Sequence, residues 1–241
     1  MQPFKPFNPV RHFDDSMATR YEKRIRLFCP GYNALHSMLP SLLQSATPEL
    51  PPQARFLSVG AGTGEEVVTL GGLFPGWEFL AVDLSPEMLA LAQKKVTAAS
   101  MAQRVTFFQG FLQECTTPHL YDAASSIFVA HFIKEPKARL TYFQNIAHRL
   151  KPGAPFVVAD LFGTPGTPQH EALFAAWHTG YCAHGLAPEQ MHKDFLHMQN
   201  DVAFLPEETI LALLEDAGFT APVRFYQTLL FGGWLTHKRE V

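Results

Sequence analysis

Three glycines at alternate positions, Gly60, Gly62 and Gly64, follow the apolar run Phe56 to Val59. A second apolar run, Phe79 to Val82, ends in the carboxylate Asp83. Glycine at such a turn lets backbone approach a ligand closely and accepts φ > 0. A carboxylate at the next strand end can accept two hydrogen bonds from a ribose diol. Strand, glycine turn, helix, strand and carboxylate form the unit by which an α/β protein holds an adenosine-bearing cofactor.

The spacing narrows the cofactor. A dinucleotide fingerprint, G-x-G-x-x-G/A, needs a small third residue, and here that position is Glu65. A phosphate-binding G-x-x-x-x-G-K-[ST] loop needs a lysine that does not follow these glycines. The acidic pair Glu65 and Glu66 would repel a pyrophosphate, whereas a cationic sulfonium meets no such repulsion.

The elements that must position this loop read in order. Ser16 to Phe28 predicts a helix whose Arg20, Lys23, Arg24 and Arg26 form a solvated face. Cys29-Pro30-Gly31 breaks it, and Tyr32 to Leu43 resumes as a helix containing Pro40. Strand 1 is Arg55 to Val59, and helix A runs from the loop to about Phe74, where Pro75-Gly76 stops it. Strand 2 is Trp77 to Asp83. Ser85-Pro86-Glu87 reads as N-cap, first helical position and acidic first turn of helix B. Strand 3 is Val105 to Gln109, strand 4 Ala123 to Val129, and strand 5 Phe156 to Leu161. An apolar stripe of Leu140, Phe143, Ile146, Ala147 and Leu150 marks the helix between the last two. Pro206 to Ala217 is an amphipathic helix, and apolar strands at 222–227 and 229–237 close the chain. This predicts an α/β fold: a doubly wound, seven-stranded, mostly parallel sheet with the last strand antiparallel. Residues 1–50 form an N-terminal helical extension, and 51–241 form the main domain. The departure from the βα rhythm at 162–205 is a helical cap inserted after strand 5.

Composition fits that reading. The 241 residues are 47% hydrophobic, with 19 Lys+Arg against 22 Asp+Glu and a net charge of −3, so there is no global basic field for nucleic acid. No apolar run approaches the roughly 18 residues of a membrane span, and Met1 to Arg11 lacks the apolar core of a secretory signal. Three cysteines, Cys29, Cys115 and Cys182, share no CxxC spacing. A reducing cytoplasm is the expected setting.

The order of these elements, with the Leu150-Lys151-Pro152-Gly153-Ala154 turn before strand 5 and the closing hairpin, resembles the class I S-adenosylmethionine-dependent methyltransferases. The resemblance covers roughly residues 50 to 240. Cys29-Pro30-Gly31-Tyr32, and Ala217-Gly218-Phe219 followed by Phe225-Tyr226-Gln227, are similar to flanks of the carboxy-S-adenosylmethionine synthases of tRNA wobble-uridine modification and of related small-molecule methyltransferases. It implies S-adenosylmethionine as cofactor and S-adenosylhomocysteine as product. Gly60, Ala61 and Gly62 then approach the methionyl part, Asp83 takes the ribose hydroxyls, and Leu84, Phe111 and Leu112 lie about the adenine. Phe128 and Val129 sit under the sulfonium, and Tyr32 closes over the cofactor. Relatives are often dimers through the N-terminal helices, so a homodimer is expected.

Three departures from the family pattern matter. Most members carry an acid where Ser58 stands, and many carry Asp where Phe111 stands. The synthases use a cap arginine to hold the extra carboxylate. This chain has no Arg between Arg149 and Arg224, and Phe195 falls at the aligned position. The leading expectation is therefore ordinary in-line methyl transfer to a small-molecule acceptor. The alternatives are a carboxy-S-adenosylmethionine synthase-like enzyme and a non-catalytic S-adenosylmethionine-binding protein.

Methyl transfer needs a base only when the nucleophile carries a proton of high pKa. His131, just past strand 4, and Asp160, at the end of strand 5, are the catalytic candidates. In the cap, Trp177, His178, Tyr181 and His184 are the expected acceptor contacts, with Phe174 and Phe195 adding apolar lining. His178, His184, His192 and His197 lack the i, i+4 spacing that sets two imidazoles on one helical face, so no metal site is expected.

Overall fold

A computed structural model describes residues 15–45, 49–183, 189, 195, 196, 198 and 200–240, residues 15–20 by backbone alone. Two helices, α1 (Asp15–Phe28) and α2 (Tyr32–Gln44), precede β1 (Arg55–Val59). The alternation continues through α3 (Glu65–Leu73), β2 (Glu78–Asp83), α4 (Pro86–Ala98) and β3 (Val105–Gln109). It resumes with β4 (Ala123–Ile127), α5 (Pro136–Ala147), β5 (Pro155–Leu161) and α6 (Pro168–Cys182). Helix α7 (Glu207–Asp216) leads into β6 (Val223–Thr228) and β7 (Phe231–His237).

The seven strands form one sheet in the order β3-β2-β1-β4-β5-β7-β6. All pairs from β3 to β5 are parallel, and β7 runs antiparallel between β5 and β6. The strand order reverses between β1 and β4, where a doubly wound sheet opens a crevice at its carboxyl ends.

Alternation along the strands divides the core between two faces. Phe56, Ala81, Ala123 and Val157 face α1, α2, α3 and the cap residues Trp177 and Tyr181. Leu57, Leu80, Ala124 and Phe156 face the other way, against Phe143 and Ile146 of α5 and Ile210 and Leu214 of α7. Burial of one such side chain contributes roughly 1.5–3 kcal/mol, and α1 and α2 take part in the same core as the sheet.

Local signals set the ends. Ser85 caps α4, its Oγ accepting from Met88 N–H at 3.1 Å, and Thr167 caps α6 by accepting from His170 N–H at 3.3 Å. Strand β4 stops two residues short of the expected Val129, because Phe128 turns into the left-handed region at φ 59°. A bulky residue there is backbone strain of the kind that gathers at functional sites.

The Cys-Pro-Gly-Tyr flank forms the corner between α1 and α2. Tyr226 of β6 donates its hydroxyl to the Pro30 carbonyl at 3.1 Å and lies 3.9 Å from Cys29 Sγ. Gly31 has φ 86°, and a Cβ on it would fall 2.9 Å from that hydroxyl. The two sequence segments that carry the synthase-like flanks thus meet in space.

Arg26 corrects one expectation. It does not join a solvated face but bonds Glu65 of α3 at 3.1 Å and Asn33 at 3.0 Å, over the ring of Tyr32. With Lys95 of α4 also on Glu65 at 2.9 Å, these contacts tie α1 and α2 down beside the glycine loop.

Candidate active site

The loop after β1 is built from backbone bonds. The N–H groups of Gly60 and Ala61 both donate to the Val82 carbonyl, at 2.8 and 2.9 Å, so β2 fixes where the loop leaves the sheet. Gly60 has φ 72°, and a Cβ there would lie 2.2 Å from Val129 Cγ2. Gly62 has φ 52° and nothing within 4 Å of a Cβ, so open space stands over it.

Asp83 governs the other side. Its Oδ2 accepts from Gly62 N–H at 2.8 Å and its Oδ1 from Ser85 N–H at 2.9 Å. Burial pushes its carboxyl above the usual range while these backbone bonds pull it down. A carboxylate has about four acceptor sites, which leaves room for a diol.

Two cavities meet at this loop. A larger one of about 340 Å³ runs from Asp83 and Leu84 past Phe111 and Leu112 to Phe128, Val129 and Tyr142. A small one lies at the other end, between the loop and Tyr21, Tyr32, His36, Glu65 and Glu66. Both are bounded by Tyr21, Gly60, Gly62, Ile127 and Phe128. Leu112 is buried, whereas Phe111 is 52% exposed at the rim. Tyr32 is buried, with its ring 4.3 Å from His36 and 6.4 Å from Phe128. Ten residues singled out from sequence line these two adjoining cavities: Tyr32, Gly60, Ala61, Gly62, Asp83, Leu84, Phe111, Leu112, Phe128 and Val129.

The pair expected to act on protons lies elsewhere. His131 Nδ1 and Asp160 Oδ1 are hydrogen-bonded, and the same oxygen accepts from the His131 backbone N–H at 3.0 Å. Both side chains are buried, and neither lines the two cavities. His131 carbonyl accepts from Ala203 N–H at 2.9 Å, and the buried Arg139 donates to the Ala203 carbonyl at 3.3 Å. This network pins residue 203, at the end of the cap, to the 129–133 turn.

In the cap, Trp177 is 1% exposed and donates its indole N–H to the Phe28 carbonyl at 2.6 Å. Its ring, with those of Tyr181 and Phe195, packs around Phe28. His178 is exposed, 4.6 Å from the Phe195 ring. None of these side chains lines the two cavities, and His184 lies outside the described residues, as do His192 and His197. Among the described residues no group of three or more His, Cys, Asp or Glu could hold a metal.

Sequence reasoning missed Tyr21 and His36. His36 sits one helical turn after Tyr32, on the same face of α2, so i, i+4 spacing was the available signal. Glu66 was noticed only as an acid that would repel phosphate.

Residues 57–156 match the family described as "Methyltransferase domain". Over those residues, and in its fold, the chain is similar to the class I S-adenosylmethionine-dependent methyltransferases. It is 23% identical over 234 residues to the carboxy-S-adenosyl-L-methionine synthase of Citrobacter koseri, covering 95% of this chain and 92% of that one. Among solved structures, an O-methyltransferase family protein from Burkholderia thailandensis superposes with a TM-score of 0.65 at 16% identity, over 96% of this chain and 60% of that one. The S-adenosylhomocysteine complex of DhpI gives 0.62 at 15% identity, over 96% of both chains. S-adenosylmethionine is the cofactor expected of such a methyltransferase domain. The cavity fits that group: open space over Gly62, a half-buried carboxylate at Asp83, and no lysine in the lining. No described helix is long and apolar enough to cross a membrane.

Proposed function

We propose that this methyltransferase acts on a small-molecule acceptor. The observation that carries the reading is the charge of the cavities. Their lining includes Asp83, Glu65 and Glu66 and no Lys or Arg among the described residues. Such a wall favours a sulfonium and disfavours a cofactor with an added carboxylate.

When bound, S-adenosylmethionine supplies an electrophilic methyl carbon. The protein's part is orientation and exclusion of water. Asp83 would accept the ribose hydroxyls, Leu84, Phe111 and Leu112 would flank the base, and Gly62 would leave space for the chain between them. Phe128 and Val129 would form the apolar wall beside the reacting carbon, held by the strained turn at Phe128 and the close fit of Val129 on Gly60. In this reading His131 and Asp160 position that turn. Trp177, Tyr181 and Phe195 set the cap against α1, which leaves His178 and His184 as the cap residues to examine for acceptor contact. N-terminal helices at a homodimer interface and a cytoplasmic setting belong to the same proposal.

Calorimetry with S-adenosylmethionine and S-adenosylhomocysteine tests the reading directly, and no binding at millimolar ligand would sink it. The synthase reading stays in play because the Citrobacter koseri relative aligns along 95% of the chain. Mass spectrometry of ligand copurified with the protein separates the two, since the carboxylated cofactor is heavier by a carboxylate.

A further inference from the structure

Glu66 is the second residue of α3 and is 4% exposed. A buried carboxylate without a cation is costly. Its neighbour Glu65 takes the two cations at hand, Arg26 at 3.1 Å and Lys95 at 2.9 Å. Glu66 is met by hydroxyls instead. Ser58 Oγ donates to its Oε1 at 2.8 Å, and Ser125 Oγ lies 3.5 Å from the same oxygen. These serines are register partners on β1 and β4, the two strands that flank the crevice. Burial pushes the Glu66 carboxyl up, against the pull of His36 and the Ser58 bond.

The carboxylate borders the small cavity, with Tyr21, Tyr32 and His36 around it. That cavity shares Gly60 and Gly62 in its wall with the larger one. A ligand whose ribose sits on Asp83 and whose chain crosses Gly62 would have its far end toward Glu66. A sulfonium has no hydrogen to give a carboxylate, whereas an ammonium offers three donors.

We propose that Glu66 holds the α-ammonium of the cofactor's amino-acid end, and that Ser58 of β1 only orients it. This inference rests on the reading of the chain as an S-adenosylmethionine enzyme.

The test compares two ligands that share the adenosine and the sulfur. S-adenosylhomocysteine carries the amino-acid end, and 5′-methylthioadenosine lacks it. Calorimetry on wild type and Glu66→Gln, an isosteric change that keeps the acceptor for Ser58, should show S-adenosylhomocysteine weakened about tenfold or more and 5′-methylthioadenosine unchanged. Equal effects on both ligands, or none on either, would overturn the assignment of Glu66 and leave the cofactor standing. Failure of wild type to bind either ligand would instead remove the cofactor reading and this inference with it. Thermal unfolding of the unliganded variant guards against misfolding, and Ser58→Asp with Glu66→Ala should restore discrimination between the two ligands by returning the acid to the strand.

Discussion

Gly62 N–H donates to Asp83 Oδ2 at 2.8 Å, a bond that ties the glycine loop to the end of β2 across 21 residues of sequence. The carboxylate proposed to take the ribose is therefore also the latch that sets the loop. Asp83→Ala removes both functions. It should lower stability by about 1–3 kcal/mol, the cost of leaving buried N–H groups unpaired, and abolish calorimetric binding of S-adenosylhomocysteine. Asp83→Asn keeps one oxygen for the latch and should fold better than Asp83→Ala while still binding weakly.

The two neighbouring glycines fail in different ways. A Cβ on Gly60 would lie 2.2 Å from Val129 Cγ2, whereas one on Gly62 meets nothing within 4 Å. Gly60→Ala should therefore cost roughly 3 kcal/mol or more, from overpacking added to left-handed strain. Gly62→Ala pays only the strain, about 1–2 kcal/mol. It should remain folded by circular dichroism yet lose ligand, because its methyl group points into the space the cofactor needs.

The sheet, its mostly parallel pairing and the glycine loop were legible because period, glycine spacing and Asp83 are local signals that tertiary contacts only reinforce. The end of β4 was misread because Phe128 is a strand former by type, and its φ of 59° is imposed by surroundings that sequence does not display. Arg26 looked like a surface charge because its partner Glu65 lies 39 residues away. Trp177 and Tyr181 looked like acceptor contacts for a similar reason: the residue they enclose, Phe28, is remote in sequence. Glu66 was visible as an acid, but its meeting with Ser58 needed the fold.

Trp177 fastens the cap to α1 through one hydrogen bond of 2.6 Å and its packing on Phe28, Phe195 and Phe231. Trp177→Phe keeps an aromatic ring and leaves the Phe28 carbonyl without its donor. The expected loss is about 1–3 kcal/mol. Amide exchange should rise in α6 and at the end of α1, with β1 and β2 unchanged. Uniform loss of protection across the sheet would contradict a local fastening.

His131 and Asp160 bond each other beside the buried Arg139, whose guanidinium is held down from its ordinary value by burial and raised by the Asp160 charge. As positioning residues they should affect the rate without setting its pH dependence. His131→Gln should reduce kcat/KM and thermal stability, with the wild-type shape of the pH profile retained once an acceptor is in hand. Disappearance of a limb of that profile would make His131 the general base that its place after β4 first suggested.

Stability against pH offers a separate check on Glu66. Burial raises its folded-state carboxyl above the unfolded value, so the folded protein binds that proton more tightly. Its contribution is then most favourable at low pH and declines as pH rises from about 4 through the raised value. His36, Glu65, Tyr21 and Tyr32 also face this carboxylate, so only the difference between wild type and Glu66→Gln isolates it. Without ligand, the Tm of Glu66→Gln should match wild type near pH 4 and exceed it near pH 7. With saturating S-adenosylhomocysteine the order should reverse at pH 7, because ligand stabilises the form that binds it. A variant less stable than wild type at every pH, with and without ligand, would mean that Glu66 is held by the fold and not kept for the ligand.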